Sequence, residues 1–235
     1  MPLPHYSQPQ ISVAEQIKLL KSEGLTFSDE NKAQHILENI SLFRMKSYLM
    51  PLRQSHSRQF KEEASFEDAY SLYKFDSALR KMICSELEKI EVSICTQLSL
   101  IMGDEAGIYW FENPANFRNA NRHATLLTNL QTELRRSDDD AIVGFQQRYS
   151  NNFPPSWMRF EISSFGTLSM MYKWLNAGHA RRKVARFYGL TDTVMESWLH
   201  SIVYVRNICA HHSRLWNRRL SGKPSRGCPL RPRLI

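Results

Sequence analysis

The sequence predicts an all-α protein, a helical bundle with additional N-terminal helices. Three observations carry this reading. Apolar residues recur at intervals of three and four along most of the chain. Boxes of the form Ser/Thr-x-x-Glu precede two of these periodic segments, as helix starts do. No alternating run bounded by turn residues reads as a strand or a hairpin, and no internal repeat is visible.

The elements follow in order. Ser12-Val13-Ala14-Glu15 has capping-box form and opens a short helix that Gly24 terminates. Ser28 is placed to cap a second helix, with Ala33, Ile36, Leu37 and Ile40 on its inner face, ending before Pro51. Residues 51–64 are polar and read as a loop. Ser65 starts the longest uninterrupted segment, free of Gly and Pro until Gly103. Within it Leu72, Phe75, Leu79, Ile83, Leu87, Ile90, Ile94, Leu98 and Ile101 step by three or four, the pattern of a helix packed along its whole length. Residues 104–118 are irregular, with Asn113-Pro114 as a turn signal.

Leu126, Leu127, Leu130 and Leu134 mark a further helix that stops near Asp138-Asp139-Asp140. That triplet reads as a solvated loop or a helix start, not as a metal site. After the break at Phe153-Pro154-Pro155 a helix begins near Trp157, is interrupted or bent around Gly166 and runs to Gly178. Thr193-Val194-Met195-Glu196 is the second capping box, opening a helix free of Gly and Pro to Leu220. Three regions result: an N-terminal helical segment over 1–64 packed on the core, a helical bundle over 65–220, and a basic tail over 221–235. The tail holds Gly222, Pro224, Gly227, Pro229 and Pro232 and is expected to be disordered unless it binds something.

With 235 residues the chain can bury one good-sized core or two small ones. Its net charge of +8 is unevenly spread. Residues 1–172 carry 18 Lys and Arg against 21 Asp and Glu, whereas residues 173–235 carry 13 against 2. Beyond Glu196 no carboxylate side chain appears. So one-sided a basic region favours a polyanion, with nucleic acid as the leading partner. No apolar run approaches the ~20 residues needed to span a bilayer, and Met1-Pro2-Leu3-Pro4-His5-Tyr6 lacks signal-peptide architecture. Cys84, Cys95, Cys209 and Cys228 form no C-x-x-C pair, so reduced thiols in a cytoplasmic protein are expected. Cys209, His211 and His212 lie close in sequence, but no second ligand pair exists to close a zinc site. Neither a metal nor a cofactor is expected.

The chemistry-bearing stretch is Tyr204-Val-Arg206-Asn207-Ile-Cys-Ala-His211-His212-Ser-Arg214-Leu-Trp-Asn-Arg218-Arg219. Arg, Asn and His within six residues suit RNA cleavage without a metal. A fixed cation stabilises a phosphorane, and an imidazole moves the ribose 2′-OH proton. If the helix runs on to Leu220, Asn207, His211, Arg214 and Arg218 share a stripe roughly 60° wide. Trp198, Ile202, Val205, Cys209 and Trp216 then gather on an inward face, and His212 sits at its edge. This wheel nominates His211 as the reactive histidine and His212 as a structural support. Arg206 lies roughly 140° from His211 and reaches it only through its long side chain.

The order R-N-x-x-x-H resembles the HEPN ribonuclease signature, and R-N-I-C-A-H-H-S-R-L-W-N-R is similar to the Abi-like (AbiD/AbiF) abortive-infection family. Further segments share the likeness: Ile17–Leu20 with Gly24-Leu25, Leu72-Tyr-Lys-Phe-Asp76-Ser-Ala-Leu-Arg80, Ile90-Glu91-Val92, and Trp157-Met-Arg-Phe-Glu161-Ile-Ser-Ser-Phe-Gly-Thr-Leu168. The resemblance spans roughly residues 10–220. It implies a HEPN-type bundle with family-specific N-terminal helices, and phage defence by abortive infection.

By that resemblance Arg206, Asn207 and His211 are catalytic. One histidine per chain argues for a homodimer with a composite site, since a two-fold interface brings equivalent residues together. Arg214, Arg218 and Arg219 are RNA-binding candidates, and Glu161 is a supporting group or a salt-bridge partner. A regulatory RNA or an antitoxin is a further candidate partner. The family pattern has an Arg where this chain has Cys95, and it continues helically past the R-L-W-N-R block. Two rivals remain: a HEPN-type module that binds a structured RNA without cutting it, and a DNA-binding regulator. The second rests on the Ala185-x-x-x-Gly189 spacing of a helix-turn-helix, although Thr191–Glu196 is poor in basic groups.

Overall fold

The computed structural model describes residue 5 and residues 9–220. Among these the protein is all-α, with three isolated bridges and no strand. The tail over 221–235, including Cys228, lies outside the described residues, as do residues 1–4 and 6–8.

By its internal contacts the chain forms two compact units. The first comprises the chain up to Lys81 together with Arg214–Trp216. It begins with α1 (Val13–Ser22), whose capping box is present: Ser12 Oγ accepts from the Glu15 amide, and Glu15 accepts from the Ser12 amide. Gly24, at φ +89°, lets the Leu25 amide reach back to Leu20 O and close the helix end. α2 (Glu30–Asn39) is capped by Asp29 rather than Ser28. The Ser28 amide instead donates to Glu67. The helix expected to continue toward Pro51 breaks at Ile40, and Ser41 caps a new one, α3 (Leu42–Leu49). The apolar core of this unit includes Leu20, Leu37, Met45, Tyr48, Phe60 and Phe66.

The long helix α4 (Phe66–Ala106) starts where expected, with Ser65 and Asp68 capping each other. Its inner face differs from the expected seam. Asp76 is fully buried and Arg80 nearly so, while Phe75 is 53% exposed. Of the expected seam, Leu72, Leu79, Ile83 and Ile90 are half-buried, and Leu87, Ile94, Leu98 and Ile101 are buried. The division between the units falls inside this helix, after Lys81.

Among the described residues the second unit comprises Met82–Ser213 and residues 217–220. It contains α5 (Ala120–Arg136), α6 (Asp140–Arg148), α7 (Ser156–Arg159), α8 (Phe165–Trp174), α9 (His179–Phe187) and α10 (Asp192–Ala210). Asp139 of the acidic triplet caps α6 through the Ala141 and Ile142 amides. The interruption expected around Gly166 falls a few residues earlier: the chain leaves α7 at Phe160, Ser164 caps α8, and Gly166 sits in its first turn. α8 packs on α5 and α10, and α9 packs on α10. The core joins Ile94, Leu98, Trp110, Phe111, Leu130, Phe160, Met171, Val184 and Leu199.

Buried arginines tie these helices down. Arg159 donates to Leu130 O at 2.5 Å, Glu133 at 3.1 Å and Ser163 at 3.1 Å, and burial pushes its pKa below the usual value. Arg181 pairs with Glu196 at 2.5 Å. Glu196 is therefore not the partner of a Thr193 cap; Thr191 caps α10 instead.

Candidate functional site

α10 carries the Arg-Asn-His stretch but ends at Ala210, ten residues short of the expected stop. His211 is its C-cap, and His212 follows at φ +54°. The His212 amide donates to Cys209 O at 3.1 Å, and the Ser213 amide to Ile208 O at 3.0 Å. This is the Schellman closure that glycine usually makes possible, here built on histidine. The sequence offered neither Gly nor Pro as a stop signal, yet histidine is among the residues that tolerate the left-handed region.

Past Ala210 the wheel no longer applies, and several placements change. His212 does not face inward; it is exposed at the turn. Trp198, expected inside, is 44% exposed, while Ile202 and Val205 are half-buried and Cys209 is buried. Arg214 and Arg218 do not extend a helical stripe. Arg214 donates to Ser47 O at 3.0 Å within the first unit. Arg218 comes back onto α10 after a turn at Asn217 (φ +50°), its guanidinium 5.9 Å from the Tyr204 ring centroid. Arg219 is exposed.

The part of the stripe that lies on α10 does form one face. At about 100° per residue, His200, Tyr204, Asn207 and His211 fall within about 60° of one another. Asn207 and His211 are both exposed. Arg206 is turned toward α4, where its Nε stands 3.4 Å from Glu91 Oε2. The pair is only partly shielded, so its effect is chiefly to aim the guanidinium.

Cys95 lies one turn beyond Glu91 on α4, buried, with its Sγ donating to Glu161 Oε1 at 3.7 Å. Burial, then the carboxylates of Glu161 and Glu91, push this thiol up to about 12. Glu161 itself is exposed in the turn after α7 and forms no ion pair among the described residues. Among those residues Cys84 and Cys95 are free thiols, and no three His, Cys, Asp or Glu side chains gather to hold a metal.

Asp76 is the residue whose importance the sequence analysis missed, naming it only within the segment Leu72–Arg80. Its carboxylate accepts from the Tyr48 hydroxyl at 2.6 Å and from the backbone amides of Trp216 at 2.6 Å and Leu215 at 3.2 Å, besides its ion pair with Arg80. The signal was available: Asp76 and Arg80 continue the inner ladder Leu72, Ile83 and Leu87 of α4, where a charge survives only if fully partnered.

The arrangement offers an exposed imidazole and carboxamide on one helix face, a guanidinium on another face of the same helix held toward Glu91, and no carboxylate side chain in the sequence beyond Glu196. No helix among the described residues is long and apolar enough to cross a membrane. A family model described as Abi-like protein matches residues 35–217. No curated protein and no solved structure matches the chain significantly.

Proposed function

The chain belongs to the Abi-like family, and on that premise we propose that it is an RNA-directed effector of abortive infection, a metal-independent endoribonuclease of HEPN type. The observation that carries this reading is the exposed pair Asn207 and His211 at the end of α10, beside Arg206 and within the basic part of the chain.

The 2′-OH of one ribose attacks the neighbouring phosphorus, and the 5′-oxygen leaves. The products are a 2′,3′-cyclic phosphate and a 5′-hydroxyl. His211 acts as base or acid, Asn207 hydrogen-bonds the imidazole or the phosphate, and Arg206 neutralises the phosphorane. In-line transfer uses both an acid and a base, so a homodimer supplies the second His211. Arg218 and Arg219 hold flanking phosphates; Arg214, engaged by Ser47 O, steadies the chain after the helix.

The test is cleavage of RNA in EDTA by wild type and by His211→Ala, with end-group analysis. Cyclic phosphate ends from wild type alone support the nuclease. RNA bound but uncut by both proteins supports the non-catalytic binding module. A helix-turn-helix regulator is disfavoured because Asp192 and Glu196, at the start of the would-be recognition helix, pair with Arg181.

A further inference from the structure

A second basic feature lies at the other end of α10. A cleft of about 910 Å³ is lined by Arg118, Arg122, Lys173, Trp174, Glu196 and His200, among others. Arg118 comes from the segment just before α5, Arg122 from its first turn, Lys173 and Trp174 from the end of α8, and the last two from α10. Arg122, Lys173 and His200 are exposed, and neither Arg122 nor Lys173 forms an ion pair among the described residues. Arg118 is held in place by its Nε bond to Leu175 O at 2.7 Å, with 45% of its side chain still exposed. The one carboxylate, Glu196, is already neutralised by Arg181 at 2.5 Å and lies 3.8 Å from Arg118. The cleft therefore presents a surplus of positive charge beside the half-buried indole of Trp174.

Its position matters as much as its charge. Thr193, Glu196, Ser197 and His200 line the cleft, and they lie on the same face of α10 as Tyr204, Asn207 and His211. A continuous polar face thus runs from the cleft to the candidate catalytic pair, about 16 Å from His200 to His211.

The geometry points to this cleft as a second binding site for a single-stranded RNA, gripping the phosphodiester backbone upstream or downstream of the bond presented to His211. Arg122 and Lys173 contact phosphates, Arg118 fixes a third position, and Trp174 offers a ring face on which a base stacks. This inference rests on the RNA reading above but assigns residues that reading does not use.

The experiment compares His211→Ala with the triple variant Arg122→Glu, Lys173→Glu, His211→Ala, so that no strand is cut. Binding of a short fluorescein-labelled single-stranded oligoribonucleotide is followed by anisotropy across a salt series. All three sites are exposed, and equal melting temperatures establish equal folding. The expected result is binding weaker by at least about tenfold and a log–log salt slope smaller by about 1.4, roughly 0.7 for each lost contact. RNA bound equally by both proteins with equal slopes overturns the cleft assignment and leaves the RNA reading standing. No RNA binding by His211→Ala or by wild type overturns both. Displacement of the oligomer by a 5′-mononucleotide at equal phosphate concentration shows that the cleft takes free nucleotides, and overturns strand binding.

Discussion

His212 holds its left-handed conformation without glycine's freedom, which for an L-residue costs about 1–2 kcal/mol. Melting temperatures of substitutions at this site are therefore expected to follow the order Gly, His, Val. The gain for His212→Gly is about 0.5 kcal/mol, because glycine's extra entropy in the unfolded chain offsets part of the relief. A valine variant as stable as the glycine one would contradict this account of the helix end. His211→Ala is expected to abolish cleavage at an unchanged melting temperature, since that side chain is exposed. Cys95 makes a separate prediction. Its thiol is held neutral by burial and by Glu161, with a folded pKa near 12. The stabilisation from this raised pKa is complete below the unfolded thiol value of about 8.5 and is lost as pH rises toward the folded value. Alkylation of Cys95 by iodoacetamide at pH 8 is expected only after denaturation; rapid labelling of the native protein would show that the thiol is accessible and ionised.

At the scale of elements, α4 and the segment after α10 depend on one carboxylate. Asp76→Ala would leave Arg80 buried without its partner and the Leu215 and Trp216 amides without their acceptor. A loss of about 3–5 kcal/mol is expected, measurable by urea denaturation. A loss below about 1 kcal/mol would mean that water replaces the carboxylate. The likeness of Leu72–Arg80 and of the Arg214–Arg218 block to one family thus has a structural counterpart: Asp76 in the first holds Leu215 and Trp216 in the second. Two other segments meet in the same way, Glu91 facing Arg206 and Glu161 facing Cys95.

For the molecule as a whole, the assembly proposal makes the sharpest demand. α4 leaves Met82, Val92 and Leu100 more than half exposed, apolar surface of the kind a partner copy would cover. A homodimer is expected in sedimentation at micromolar concentration, with activity lost on dilution to monomer. Mixed Arg206→Ala and His211→Ala chains are expected to recover some cleavage. A monomer with undiminished cleavage would refute the composite site.

The sequence by itself determined the helical class, because three- and four-residue periodicity needs no tertiary context. It also fixed the starts of α1 and α4, whose caps are local reciprocal hydrogen bonds, and the uneven charge that directs attention to the Arg206–Arg219 stretch. Tertiary structure alone decided where α10 ends and which face of α4 is buried. A histidine at the left-handed position is not a readable stop signal, and the burial of Asp76 depends on Tyr48, Arg80 and backbone amides some 140 residues away in sequence. Such choices belong to groups distant in the chain, so periodicity cannot encode them.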